Sequence, residues 1–140
     1  MIEANTKPLI QSKSVVAGLN ETGDTMIVTA TESYIPMQEF KEFFGKVGDY
    51  VKSNDVNKLI FDKSNLRTFH QPSMVWYHVE WKSVMAKYGL STYRKILPDD
   101  KLFTKSVEVG RNKIKEEHPD FNFTDYDIQY VASVEEGLQK

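Results

Sequence analysis

The sequence predicts an α/β domain: a single-layer mixed sheet of about five strands, opened by an N-terminal β-hairpin, with about four helices packed on it. Three observations carry this expectation. Short apolar runs of period two alternate with long stretches whose apolar residues recur every three or four positions, the pattern of strands exchanging with amphipathic helices. Gly, Pro, Asn and Asp punctuate the runs where the chain must turn. The 140 residues carry 18 Lys+Arg against 20 Asp+Glu, a net charge of −2, with 40% hydrophobic and 12% aromatic residues; that composition belongs to a folded chain and not to a disordered one. A chain of this mass buries about 16,000 Å² on folding, enough for a core without staples.

Residues 1–7 read as a loose, flexible leader and 8–140 as one domain, since no repeat, low-complexity tract or Pro/Gly-rich linker divides them. Ser14 to Leu19 and Thr25 to Thr31 form the hairpin, with Met26, Val28 and Ala30 alternating against Thr25, Ile27 and Thr29, and Gly23 free to take the positive φ of a short loop. Pro36 suits the first position of a helix, and Met37, Phe40, Phe43, Phe44, Val47, Tyr50 and Val51 make its stripe to about Ser53. Lys58 to Phe61 is a short apolar run, expected as a strand covered on both faces and ending at Asp62. Pro72 opens a second helix whose stripe is Met74, Tyr77, His78, Trp81, Met85 and Tyr88, closed by Gly89 in the left-handed region with Leu90 folding back. Thr92 to Leu97 alternates as a strand. Asp99 and Asp100 offer caps to a third helix, Lys101 to Glu117, in which Gly110 marks close contact with a neighbour. A strand at Ile128 to Val131 and a short helix capped by Ser133 with Glu136 complete the order β-β-α-β-α-β-α-β-α. Helix-linked strands run parallel by right-handed crossovers, and ligands favour the loops at their carboxyl ends, here Asp62 to Gln71 and Pro98 to Asp100.

Composition narrows the function classes. No Cys is present, which removes disulfide scaffolds, zinc-thiolate sites and thiol nucleophiles, and fits a reducing compartment. The first residues lack a basic segment followed by an apolar one, and nowhere do 18 apolar residues run together, so a cytoplasmic location without a transmembrane segment is expected. An isoelectric point near 5.9 argues against nucleic acid as a partner.

The stretch Leu59-Ile60-Phe61-Asp62-Lys63-Ser64-Asn65-Leu66-Arg67-Thr68-Phe69-His70-Gln71-Pro72-Ser73-Met74 resembles the strand, loop and helix start of anti-sigma factor antagonist (STAS) domains. Those carry an apolar strand ending in Asp, then Asp-Ser-Ser-Gly opening a helix. Glu80-Trp81 through Met85, Gly89-Leu90 and Leu97-Pro98-Asp99-Asp100 are similar to the bacterial SpoIIAA-like group, which shares its fold with STAS domains and with lipid-binding CRAL-TRIO domains. On the STAS pattern Asp62 matches the strand-end Asp and Leu66 the aliphatic position. His70 stands where the family has Asp, Gln71 where it has the Ser that a kinase partner phosphorylates, and Pro72-Ser73 replace Ser-Gly. The family's phospho-acceptor is therefore missing, with Thr68 and Ser73 the nearby hydroxyls. Phosphate on Ser73 would sit near a positive helix end.

Among the chemistry-bearing residues, His70 in the loop before a helix is a candidate general base or anion contact, but no nucleophile or orienting group accompanies it in sequence. His78, on the apolar stripe, reads as a satisfied core or edge histidine. No metal spacing joins His70, His78 and His118, and no cofactor motif is present; Gly45-Lys46-Val47-Gly48 lies within a helical pattern and is no P-loop. Lys101, Lys105, Arg111, Lys113 and Lys115 are interrupted by Glu108, Glu116 and Glu117 and read as a solvated face. Trp76, Tyr77 and Trp81 cannot share one narrow face, so at least one ring reaches an edge, while the others pack in the core.

The expected function is that of a noncatalytic binding or regulatory domain of SpoIIAA-like fold. Its working surface is the loop after the third predicted strand, comprising Ser64, Thr68, Phe69, His70, Gln71, Ser73 and Trp76 with Asp99 beside it, and it contacts a protein partner or a small apolar ligand. Two rivals stand beside this reading: a carrier of small apolar molecules or lipid, needing an enclosed pocket of about 300 Å³, and an enzyme using His70 with Asp62 or Asp99. Homodimerisation through the aromatic helix or the hairpin edge is compatible with either.

Overall fold

The computed structural model describes residues 7–68 and 70–140. Six strands form one sheet: β1 (Lys7–Gln11), β2 (Val15–Leu19), β3 (Thr25–Ala30), β4 (Lys58–Asp62), β5 (Thr92–Ile96) and β6 (Asp127–Tyr130), ordered in space as in sequence. The first two pairings are antiparallel, and β3 to β6 run parallel. The sixth strand corrects the expected five. It is β1, in which the register with β2 slips between Pro8 and Ile10. A proline and a bulge are tolerated only at an edge, and they weaken the period-two signal in so short a run.

The helices are α1 (Met37–Ser53), α2 (71–86), α3 (Lys101–Glu117) and α4 (Val134–Gln139). Each parallel crossover steps the same way along the sheet, so α1, α2 and α3 share one face, the front. Met26, Val28, Leu59, Phe61 and Tyr93 point into that layer, against Phe40, Phe44, Tyr77, Trp81 and Val107 of the helices. The alternate residues Ile27, Ile60 and Ile96 point to the back and meet Val131, just after β6, and Val134 and Leu138, which α4 brings across. Strand β4 is thus covered on both faces, as its unbroken apolar run requires.

Several local signals act as read from the sequence. Gly23 and Gly89 hold φ of 80° and 93°, and Leu90 N–H bonds back to the Met85 carbonyl. Asp100 Oδ1 caps α3 at Leu102 and Phe103, and Ser133 Oγ accepts from Glu136 N–H.

Helix α2 departs from its periodic pattern. Between α-helical Gln71–Val75 and Lys82–Ala86 the segment Trp76–Trp81 is π-helical, with Lys82 N–H bonded to the Tyr77 carbonyl five residues back. This wider turn buries Tyr77, His78, Trp81 and Lys82 on one broad face. Trp81 Nε1 then donates to the Phe44 carbonyl at 2.8 Å, and Tyr77 stacks on Trp81 with centroids 5.3 Å apart. Trp76 is the ring left at the edge, half-buried and edge-on to Phe40.

Candidate functional site

The loop after β4 is held open by its own hydrogen bonds. Asp62 Oδ1 accepts from the backbone and hydroxyl of Ser64, closing an Asx turn at the strand end. Lys63 N–H donates to the Ile96 carbonyl, which extends the ladder one step and keeps the alternation Leu59, Phe61, Lys63 pointing to the front. At the far end of the loop His70 caps α2. Its Nδ1 accepts the Ser73 N–H at 3.3 Å and lies 2.8 Å from Ser73 Oγ, so the neutral ring carries its proton on Nε2.

Beneath this loop, at the carboxyl ends of β4 and β5, lie two adjoining clefts. The outer one is lined by Ile35, Phe40, Phe61, Leu66, Ser73 and Phe103, with the more exposed Thr68 and His70 at its mouth. It spans about 350 Å³ outside protein atoms, much of it open to solvent, and its depth has room for only one or two waters. Lys63 and Met74 line both clefts; the inner one adds His78, Lys95, Val107, Gly110, Arg111 and Ile114.

Its electrostatics set this region apart. Lys63, Lys82 and Lys95 are 2%, 0% and 3% exposed, and among the described residues no carboxylate pairs with any of them. Among the described residues Lys63 Nζ has the Met74 thioether at 3.7 Å and the Phe61 ring at 4.9 Å as its partners. Lys95 Nζ lies 3.4 Å from His78 Nε2, and His78 Nδ1 has no partner. Lys82 Nζ sits 4.1 Å from the centre of the Tyr93 ring, without a hydrogen bond. Arg111 stacks over Phe123 at 4.4 Å and bonds Tyr130 Oη.

Taking an ammonium out of water without a counter-charge favours the neutral amine. Burial accordingly brings Lys63 down to about 8. Lys82 and Lys95 are held well below the ordinary lysine range, first by burial and then by neighbouring cations. His78 is held well below its usual value by burial and then by Lys82, Lys95, Lys63 and Arg111. Near neutral pH Lys82, Lys95 and His78 are thus neutral, Lys63 still holds its proton for the most part and sheds it above about 8, and Arg111 is the permanent charge at the rim.

Of the residues singled out from the sequence, Thr68, His70 and Ser73 line the outer cleft, Thr68 and His70 at its mouth and Ser73 buried within. Gln71 ties α2 to α3 through the Gly110 carbonyl at 3.3 Å, the close approach expected at that glycine. Ser64 is exposed on the turn, Trp76 lies outside the cleft between α1 and α2, and Phe69 lies outside the described residues. Asp99 is exposed on an open surface with Pro98, Lys101 and Thr104, apart from the mouth. Ser73, at 1% exposure, is closed to a kinase in this conformation. Among the described residues His70 touches no carboxylate, since Asp62 is engaged by Ser64, and no group of three His, Asp or Glu side chains gathers to hold a metal ion. No helix among them is long and apolar enough to cross a membrane.

Lys63, Lys82 and Lys95 are the residues that sequence reasoning passed over; His78, expected as a satisfied histidine, is buried with Nδ1 unpartnered among the described residues, and Arg111, expected on a solvated face, is half-buried and lines the inner cleft. The signal was positional. Lys63 and Lys95 take inward places in the alternations Leu59-Phe61-Lys63 and Tyr93-Lys95, and Lys82 continues Met74-His78 at helical spacing. Arg111 belongs to a charged series whose other members are exposed. No protein-family model, curated protein or solved structure matches this chain.

Proposed function

We propose that this chain is a noncatalytic binding domain, regulatory in use, that takes a small organic acid through the loop between Asp62 and Gln71. One observation carries the reading: a buried wall of amines without a carboxylate opens toward a mouth at the ligand-binding edge of a parallel sheet. An arriving carboxylate or phosphate supplies the negative charge this wall lacks. It bonds to Lys95, Lys63 and Arg111, and its apolar part rests on Phe61, Leu66 and Phe103. Because Lys95 has shed its proton, binding an acid there draws a proton back from solvent. Room for one or two waters excludes a lipid body and admits a small head group once a side chain yields, and the flexible Met74 between the clefts is the side chain able to do so. The likeness to STAS domains points to the same loop.

The test is isothermal titration calorimetry of the full chain with butyrate and with inorganic phosphate near neutral pH, in two buffers of different ionisation heat. Binding accompanied by proton uptake is expected, and Lys95→Met should weaken it by at least about tenfold through loss of a charge-assisted bond. Failure of both acids to bind, or equal affinity in Lys95→Met, would overturn the reading.

A further inference from the structure

We propose that Lys63 captures a small 2-oxo acid as a reversible imine. This rests on the acid-binding reading above and names the ligand class of that site.

The basic groups of the two clefts divide the labour. Arg111 cannot lose its proton and so serves the carboxylate of any ligand whatever the pH. Lys63 is placed differently: it lines both clefts, whereas Lys95 lines the inner one alone, so a molecule entering past Thr68 and His70 meets Lys63 before it meets Lys95. Its Nζ faces a thioether and an aromatic ring, with no oxygen acceptor among the described residues. An ion-pairing lysine is surrounded by acceptors; an amine among apolar groups keeps its lone pair free, which is how proteins activate lysine toward carbonyl carbon. Burial bringing Lys63 down to about 8 agrees with that placement.

The step balances without any oxidant or reductant. The Lys63 nitrogen attacks the keto carbon, and the carbonyl oxygen takes up a proton to give a carbinolamine. A second proton lets that hydroxyl leave as water while nitrogen gives up its own protons, leaving C=N and one water. The His78–Lys95 pair, 3.4 Å between nitrogens and lining the same inner cleft, is the proton carrier at hand. The carboxylate stays on Lys95 and Arg111, and the short apolar substituent faces Phe61 and Leu66. Reversal by water releases the ligand, so the capture is retention and not turnover.

The experiment incubates the full chain with pyruvate and sodium cyanoborohydride near neutral pH and locates the reduced adduct by peptide mass spectrometry. A parallel calorimetric titration uses pyruvate alone. Expected is one dominant adduct on Lys63, formed at least about tenfold faster than on exposed lysines such as Lys101, and absent in a folded Lys63→Arg chain. Mapping the unaltered protein needs no variant, so a Lys63→Arg chain that fails to fold leaves the result readable. Pyruvate that binds in calorimetry but yields no Lys63 adduct, or adducts spread evenly over surface lysines, overturns the imine and leaves acid binding intact. Pyruvate, butyrate and phosphate all failing to bind overturns both.

Discussion

Arg94 and Lys95 are neighbours in β5 and almost equally buried, yet the sheet sends them to opposite faces with opposite fates. At the back, Arg94 finds the Asp127 carboxylate at 3.1 Å and the carbonyls of Tyr93, Asp127 and Lys140 within 2.9 Å. It pins β6 and the end of α4 to the sheet. At the front, Lys95 has one imidazole nitrogen at 3.4 Å. Packing alone accounts for Arg94, because its acceptors come from the elements it fastens. It does not account for Lys95, whose chemistry is left incomplete by every element around it.

The sharpest way to break this comparison is to remove each cation in turn. Arg94→Met leaves the carbonyls of Tyr93, Asp127 and Lys140 without their donor and should cost about 3 kcal/mol of unfolding free energy. Lys95→Met should be neutral or stabilising by about 1 kcal/mol while weakening acid binding, because it removes a buried group with no counter-charge. Urea denaturation of both variants reads the difference; equal losses in the two would mean that both cations are structural.

The two faces also govern opposite limbs of the pH profile. Lys63 binds its proton less tightly in the folded chain, at about 8 against an ordinary 10.5. In that interval the unfolded chain holds more protons, so unfolding free energy rises with pH. The gain from Lys63 alone is roughly 2 kcal/mol between pH 8 and pH 10. Above the ordinary tyrosine value of 10.0 the trend reverses, since Tyr77 and Tyr93 are raised by burial and ionise first when unfolded. On the back face Asp127 is held below its ordinary 3.8, foremost by its hydrogen bond with Arg94; that contribution is present above 3.8 and fades in acid. Denaturation midpoints at a series of pH values check both limbs, and a flat profile from pH 8 to pH 10 would deny the front wall its neutral amines.

The smallest expected effect lies at the mouth. His70→Ala removes the α2 cap and should cost about 1 kcal/mol without changing the sign of either trend; a loss several times larger would make His70 a member of the core.

The outline of the fold was legible because burial imposes periods. The α1 stripe from Met37 to Val51 and the Asp100-capped α3 follow from spacing and capping alone. Strand β1 was hidden by Pro8 and a slipped register, and the π-helical turn at Trp76–Trp81 by the absence of any residue type that specifies one. The mouth was legible too, since Asp62 ends a buried strand and Pro72 starts a helix, so the intervening loop had to open at the sheet's carboxyl edge. Its chemical lining was not. Lysine usually signals solvent, and composition says nothing about which lysines fall on inward positions; that emerges only when Lys63, Lys82 and Lys95 are read by strand parity and helical phase, as Leu59, Tyr93 and Met74 were.

On this reading the front wall holds amines that await a ligand's negative charge. Carbon-13 NMR of the lysine Cε resonances, titrated with and without phosphate, measures this directly. Lys63, Lys82 and Lys95 should titrate below the exposed lysines, and phosphate should move Lys63 and Lys95 upward. Ordinary lysine titration at all three positions, indifferent to phosphate, would contradict it.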